Sequence, residues 1–213
     1  YEGVPFQPRL SVEVFGGVST YGRFLEQRID MGDAFRDREL RARPGLSLGL
    51  AGTYRLAAKT GVRLGFTYTT SELEYFDDTG DDRDVLDSGA GANIASVVGA
   101  AEVVQYFLEG EGTVVPYAVA GVSGVLWTLD PEGDIVAAGG EDSALRIGGV
   151  TGVGLEVRPN EQFLVRVEIN AATLGNPFDG PTSFGVEDAG ETVFDEPDIV
   201  TALRASLGVG YTF

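Results

Sequence analysis

Apolar residues recur at every second position through eight stretches of this chain, and the last stretch shows the pattern most cleanly. From Ile199 to Phe213, the residues Ile199, Thr201, Leu203, Ala205, Leu207, Val209, Tyr211 and Phe213 alternate with Val200, Ala202, Arg204, Ser206, Gly208, Gly210 and Thr212. Successive side chains of a strand point to opposite faces. One face is therefore apolar and ends in aromatics, while the other is small and carries a single charge. The same period predicts seven earlier strands, at about Leu10–Ser19, Gly45–Arg55, 61–69, Ala92–Leu108, Val115–Thr128, Ala144–Arg158 and Gln162–Thr173. The larger apolar residues form one face in each: Leu46, Leu48, Leu50 and Tyr54 in the second strand; Val62, Leu64, Phe66 and Tyr68 in the third; Val97 and Val103 in the fourth; Tyr117, Val119, Val125 and Trp127 in the fifth.

The connections alternate strictly. Long segments of about 20–43, 72–91, 129–143 and 174–198 follow the first, third, fifth and seventh strands, and short turns follow the second, fourth and sixth. Within the first long segment, Asp33 to Arg43 has the composition of a short helix. An even number of antiparallel strands, long loops on one rim and short turns on the other is the organisation of a transmembrane β-barrel. The expectation is an all-β fold: an eight-stranded, antiparallel, up-and-down transmembrane barrel with four long extracellular loops and three short periplasmic turns, a single domain over 1–213 preceded by a leader at 1–9. Locally, Pro116-Tyr117-Ala118-Val119-Ala120-Gly121-Val122, the Gly-rich run Gly148 to Gly154, and the terminal Leu207, Val209, Tyr211 and Phe213 resemble motifs of the small outer-membrane barrels typified by OmpX, OmpW and the OmpA membrane domain. That resemblance implies residence in the bacterial outer membrane, contact with its lipid and with lipopolysaccharide, and an assembly signal in the last four named residues, read by the barrel assembly machinery. The start at Tyr1, without a basic and apolar leader, is expected to reflect removal of an export signal.

Composition separates a membrane barrel from a soluble one. The non-apolar faces consist of Gly, Ala, Ser and Thr with isolated charges, which suits a narrow eight-stranded interior. The chain has one lysine, Lys59, whereas soluble sheets protect their edges with lysine and other charges. Tyr54, Tyr68, Tyr117, Trp127, Tyr211 and Phe213 fall near strand ends on the apolar face, as interfacial girdles do. The net charge of −18 lies wholly in the four long segments, which hold 5, 8, 5 and 7 acidic residues against 6, 1, 0 and 0 basic ones.

Strand parity turns eight charges inward: Glu13, Glu102, Glu156 and Glu168 with Arg63, Arg146, Arg166 and Arg204. Ions walled off from water need partners, so a salt-bridged and largely closed interior is expected, with Glu13–Arg204 paired across the seam and Glu156–Arg166 across the hairpin of strands six and seven. An apolar lumen near the outer rim, as an OmpW-like route for small hydrophobic solutes would need, is not expected beside those charges. A soluble ligand-binding barrel is the remaining alternative. There is no histidine or cysteine, which removes the usual general base and any thiolate chemistry, so no catalysis and no cofactor are expected. Asp77, Asp78, Asp81, Asp82 and Asp84 are a weak candidate for calcium, which takes six to eight oxygens. Arg36, Arg38 and Arg41 in the first loop suit phosphate groups or the acidic loops of a protein partner. Nucleic acid does not fit a chain this acidic.

Overall fold

A computed structural model describes residues 8–30, 35–78, 83–84, 93–108, 113–130, 143–177, 191–195 and 198–213. Among these residues twelve strands occur in chain order: β1 (Arg9–Tyr21), β2 (Arg23–Asp30), β3 (Phe35–Ala42), β4 (Gly45–Ala57), β5 (Thr60–Asp78), β6 (Arg83–Asp84), β7 (Asn93–Tyr106), β8 (Val114–Asp130), β9 (Ser143–Val157), β10 (Phe163–Gly175), β11 (Glu191–Asp195) and β12 (Ile199–Thr212). Eight of them, β1, β4, β5, β7, β8, β9, β10 and β12, pair antiparallel in that order. The ring closes where β12 meets β1, with Glu13 opposite Gly210 and Ser19 opposite Arg204. Closure leaves no unpaired edge in the spanning part, the condition for crossing a bilayer with strands.

The outward face is apolar and bare. Ile147 is 83% exposed, Leu46 73% and Leu48 69%, values a soluble protein would hide. No outward position of the eight strands carries a charge between the lower rim, marked by Tyr54 and Tyr211, and an upper ring of Thr20, Thr70, Thr128, Thr173 and Thr201. Lower down, Phe163, Tyr211 and Phe213 stack edge to face, with centroids 5.6 and 5.0 Å apart, an aromatic girdle at the interface.

Two expectations are corrected here. The segment predicted as a short helix is strand β3, which pairs with β2 on one side and with the upper part of β5 on the other. Because β5 runs on to Asp78, its protruding edge has unpaired backbone groups that a strand satisfies and a helix does not. The hairpin thus extends the barrel wall upward, with β11 added on its far side. Leu40 and Ala42 then alternate inward, both buried.

The second correction concerns β8. Tyr117 and Trp127, expected on the lipid face, are both 1% exposed and point into the lumen, with Val119 and Val125. Both faces of this strand are apolar in sequence, so alternation does not choose between them. The choice is made by room and by partners. Tyr117 lies beside Gly154 of β9, where even a Cβ would stand 2.5 Å from the Tyr117 ring. Its hydroxyl donates to Glu168 at 2.6 Å, and the Trp127 indole N–H donates to the Gly175 carbonyl at 3.1 Å.

Candidate functional site

The lumen is filled in layers. Toward the short turns, Val104, Tyr106, Val115, Tyr117 and Val119 form a buried apolar cluster, with the Arg55 guanidinium 3.7 Å above the Tyr106 ring. Such stacking lets a cation sit beside apolar groups at little cost.

Above and across from it lies a charged layer whose members come from six strands. Arg63 of β5 binds Glu168 of β10 through two parallel hydrogen bonds of 2.6 and 2.9 Å, the bidentate geometry that fixes guanidinium and carboxylate in one plane. Its Nε donates to Glu102 of β7. Arg166 of β10 donates to Glu13 of β1 at 2.8 Å, to Thr53 of β4 at 3.1 Å, and through Nη2 to Glu156 of β9 at 2.6 Å. Asn170 adds a 2.7 Å bond to Glu168. All of these acids and both arginines are at most 6% exposed. The layer therefore ties opposite walls together, which register alone cannot do.

The sequence-predicted pairs divide. Arg166 and Glu156 stand directly opposite each other across β10 and β9. Glu13 and Arg204 do not meet: they are inward residues of adjacent strands but several residues out of register, and Glu13 is taken by Arg166. The seam argument identified the neighbouring strands without their stagger. Arg146 also lies outside this layer; at the upper rim its Nε donates to the Asn176 carbonyl at 3.0 Å. Two arginines that the sequence reading passed over take part instead. Arg55 comes 3.9 Å from Glu156, and Arg158 donates to Glu156 at 2.7 Å. Both were recoverable: Arg55 follows the parity of Ser47 to Thr53, and Arg158, one residue past the end of β9, follows that of Glu156.

Higher in the barrel the lining changes from ionic to hydroxylic to apolar. Ser19, Ser47 and Thr69 form a chain of hydrogen bonds of 2.6 and 2.9 Å across β1, β4 and β5. At the top, Phe24, Leu40, Ala42, Leu73, Ile94, Val125, Trp127, Leu174, Val200 and Ala202 make the larger apolar cluster. Tyr21, Phe24 and Trp127 pack there ring against ring, with centroids 5.5 to 6.0 Å apart. Asn176 ties this cap down by donating to the Phe24 carbonyl at 2.7 Å. The lumen near the outer rim is thus largely apolar, against expectation, because the salt-bridged layer occupies only the inner half, leaving Arg146 alone of the predicted interior charges at the rim, and the β2–β3 hairpin brings Phe24 and Leu40 over the mouth. A cavity of about 70 Å³ remains between the charged layer and the cap, bounded by Phe15, Thr67, Val98, Ala172 and Arg204.

The remaining candidates are placed less fully. Leu207, Val209 and Tyr211 face outward in β12, and Phe213 follows, 74% exposed. Arg36, Arg38 and Arg41 belong to β3; Arg41 pairs with Glu39, while the side chains of Arg36 and Arg38 lie outside the described residues. So do Asp81, Asp82 and the side chains of Asp77, Asp78 and Asp84, and among the described residues no cluster of acids could hold a metal.

No protein-family profile and no curated sequence matches this chain. Solved structures do. The outer membrane protein OprG of Pseudomonas aeruginosa superposes with a TM-score of 0.53 at 19% identity, covering 95% of either chain. Ail, the attachment invasion locus protein of Yersinia pestis, solved with the heparin analogue sucrose octasulfate, gives 0.51 at 14% identity over 98% of this chain and all of the other. Neisserial surface protein A gives 0.50 at 13% identity over 96% of this chain and 97% of the other. With its closed ring of eight antiparallel strands and bare apolar belt, the chain has the fold of the small outer-membrane β-barrels.

Proposed function

We propose that this protein resides in the outer membrane as a non-enzymatic barrel with a largely closed lumen, and that it acts at the cell surface through its extended loops, in adhesion or in assembly with partner proteins. The observation that carries the reading is the double closure: buried arginine–glutamate pairs obstruct the inner half, and the aromatic cap held by Asn176 obstructs the outer mouth. Ion pairs in a lumen only wide enough for side chains leave little path for solutes. In planar bilayers the protein is expected to show no large, steady conductance; a persistent open level of porin size would end this reading.

Loop chemistry supports the surface role. The first long segment carries six arginines, five of them on a hairpin that stands beyond the barrel, and guanidinium groups bind phosphate and sulfate oxygens in pairs. Lipopolysaccharide phosphates or the acidic loops of a neighbouring protein fit it, and Ail, of the same fold, has been solved with a polysulfated sugar. Reversing the charge of Arg36, Arg38 and Arg41 together is expected to weaken retention on lipopolysaccharide or heparin resin at least tenfold while leaving heat-modifiable gel migration intact; unchanged retention would remove the loop proposal. Insertion is proposed to use the barrel assembly machinery, with Leu207, Val209, Tyr211 and Phe213 as its signal. The absence of histidine supports a non-catalytic role.

A second reading, passage of small hydrophobic solutes, is favoured by the apolar lining of the outer third. Uptake of an apolar solute by vesicles containing the protein, without ion conductance, would support it over the first.

A further inference from the structure

The rungs of the barrel climb around its wall. From Leu10 of β1 one rung runs through Tyr54, Val62, Val103 and Ala120 to Thr151, then through Ala171 and Leu203 back to β1 at Thr20, ten residues above its start. Each step to the next strand therefore raises a rung by a little over one residue, and half a circuit raises it by five. With strands tilted about 40°, one residue adds roughly 2.5 Å of height.

On this scale the upper end of the apolar belt is not level. Glu72 lies ten residues above Val62 on β5. Leu145 lies six above Thr151, which is three strands further along the rung of Val62 and so stands about four residues higher. Glu72 and Leu145 are therefore at one height on far sides of the barrel. The Glu72 side chain is 63% exposed and pairs with Arg43, whose N–H donates to the Glu72 carbonyl at 2.8 Å. Leu145 is 71% exposed, with Ile147 at 83% just beneath it. The threonines follow the same slope: Thr70 and Thr128 share a rung through Ala95 a quarter of the circuit apart, so Thr128 is two to three residues higher. No plane perpendicular to the barrel axis leaves the ion pair in water and the aliphatic side chains in lipid.

We propose that the barrel stands tilted in the bilayer, its β8–β9 side sunk toward the short turns and its β4–β5 side lifted, so that acyl chains cover the crest of Leu126, Leu145 and Ile147. The crest continues the lipid-facing belt without a break, and leaving it in water would forfeit the transfer of its apolar surface to lipid. Tilting is the low-cost response to unequal apolar height. The crest exceeds the rim on the β4–β5 side by about three residues, roughly 7 Å. Lower down, β4, β10 and β12 carry the outward aromatics Tyr54, Phe163 and Tyr211, whereas β8 and β9 carry Pro116, Leu155 and Val157, so no interfacial ring holds the sinking side in place. The tilt lifts Arg43, Glu72 and the β2–β3 hairpin clear of the headgroups. It rests on membrane residence and not on what the loops bind.

Four variants, Leu46→Cys, Ile147→Cys, Tyr54→Cys and Leu155→Cys, each carrying a nitroxide in phosphatidylcholine vesicles, read the tilt through relative accessibility to oxygen and to a nickel chelate, which reports depth. Leu46 lies eight residues above Tyr54, while Ile147 and Leu155, counted from Thr151, lie nine and one above it. In an upright barrel Ile147 is thus shallower than Leu46, and Leu155 deeper than Tyr54. Tilting reverses both orders: Ile147 is expected about 5 Å deeper than Leu46, and Leu155 about 5 Å shallower than Tyr54. Either pair keeping its upright order overturns the proposal, and reversal of the upper pair alone does so too, since that would report a locally thickened leaflet. Spin–spin broadening at Ile147→Cys that disappears on dilution with unlabelled protein would mean that a second copy covers the crest, and also overturns it. Leu126→Ser, Leu145→Ser and Ile147→Ser together are expected to restore the upright order of the lower pair. A nitroxide on Leu50→Cys reads hydrocarbon whichever way the axis stands; its loss would reject membrane residence itself, and the tilt with it.

Discussion

Replacing Arg63 by methionine is expected to destabilise the barrel by about 3–5 kcal/mol, the usual result of removing one partner from a buried ion pair. Arg63 serves two acids at once, Glu168 through a bidentate contact and Glu102 through Nε, and approaches Glu13 to 4.0 Å. Methionine fills similar volume but leaves carboxylates from three strands facing one another in a space walled off from water. The loss is therefore chiefly electrostatic, and Glu168→Gln in the same background is expected to recover part of it by removing one of the stranded charges. Arg43 is the control. It also contacts two acids, Glu74 and Glu72, the latter at 2.9 Å, but beyond the barrel with its side chain 49% exposed. Exposed pairs are screened by water and contribute little, so Arg43→Met is expected to shift the midpoint only slightly. Urea titration of protein reconstituted in lipid vesicles, followed by the loss of heat-modifiable migration, measures both. Equal costs for the two substitutions would mean that the interior is wet and the pairs are screened.

Leu50 provides the second large effect, and it tests which side of the wall meets lipid. It sits on the outward face midway along β4, 54% exposed, between Val14 on one side and Phe66 on the other. Arginine at the midplane of a barrel's lipid face costs about 2–4 kcal/mol, and Leu50→Arg is expected to fall in that range. Leu50→Trp is expected to change stability by less than about 0.5 kcal/mol, because fluid acyl chains accommodate added volume where a packed core does not. Sensitivity to charge without sensitivity to size is the signature of lipid. A packed core would reject both substitutions and open water would accept both, so either outcome would invert the barrel.

Much of this architecture was legible in the sequence. Period-two alternation located all eight spanning strands and their order, and on seven of them also told inside from outside, because Glu, Arg, Ser and Thr fell on the same side as the small residues. It failed on β8, where Val, Ala and Tyr occupy both faces and the decision passed to Gly154 making room and Glu168 accepting the Tyr117 hydroxyl. It failed also on β3, whose strand conformation answers to the overhanging edge of β5 rather than to its own charged composition.

What the chain determined by itself, then, on every spanning strand but β8, is which side chains meet lipid and which share the lumen, since each such assignment follows from the alternation of a single strand. Apart from the hairpin pair Glu156–Arg166, which of the enclosed charges meet one another was left to the tertiary structure. Partnership across a lumen depends on the stagger of the strands around the ring, a property of closure to which no local stretch has access. Stagger is why Arg166 bonds the glutamate of β1 that Arg204, on the strand adjacent to β1, does not reach.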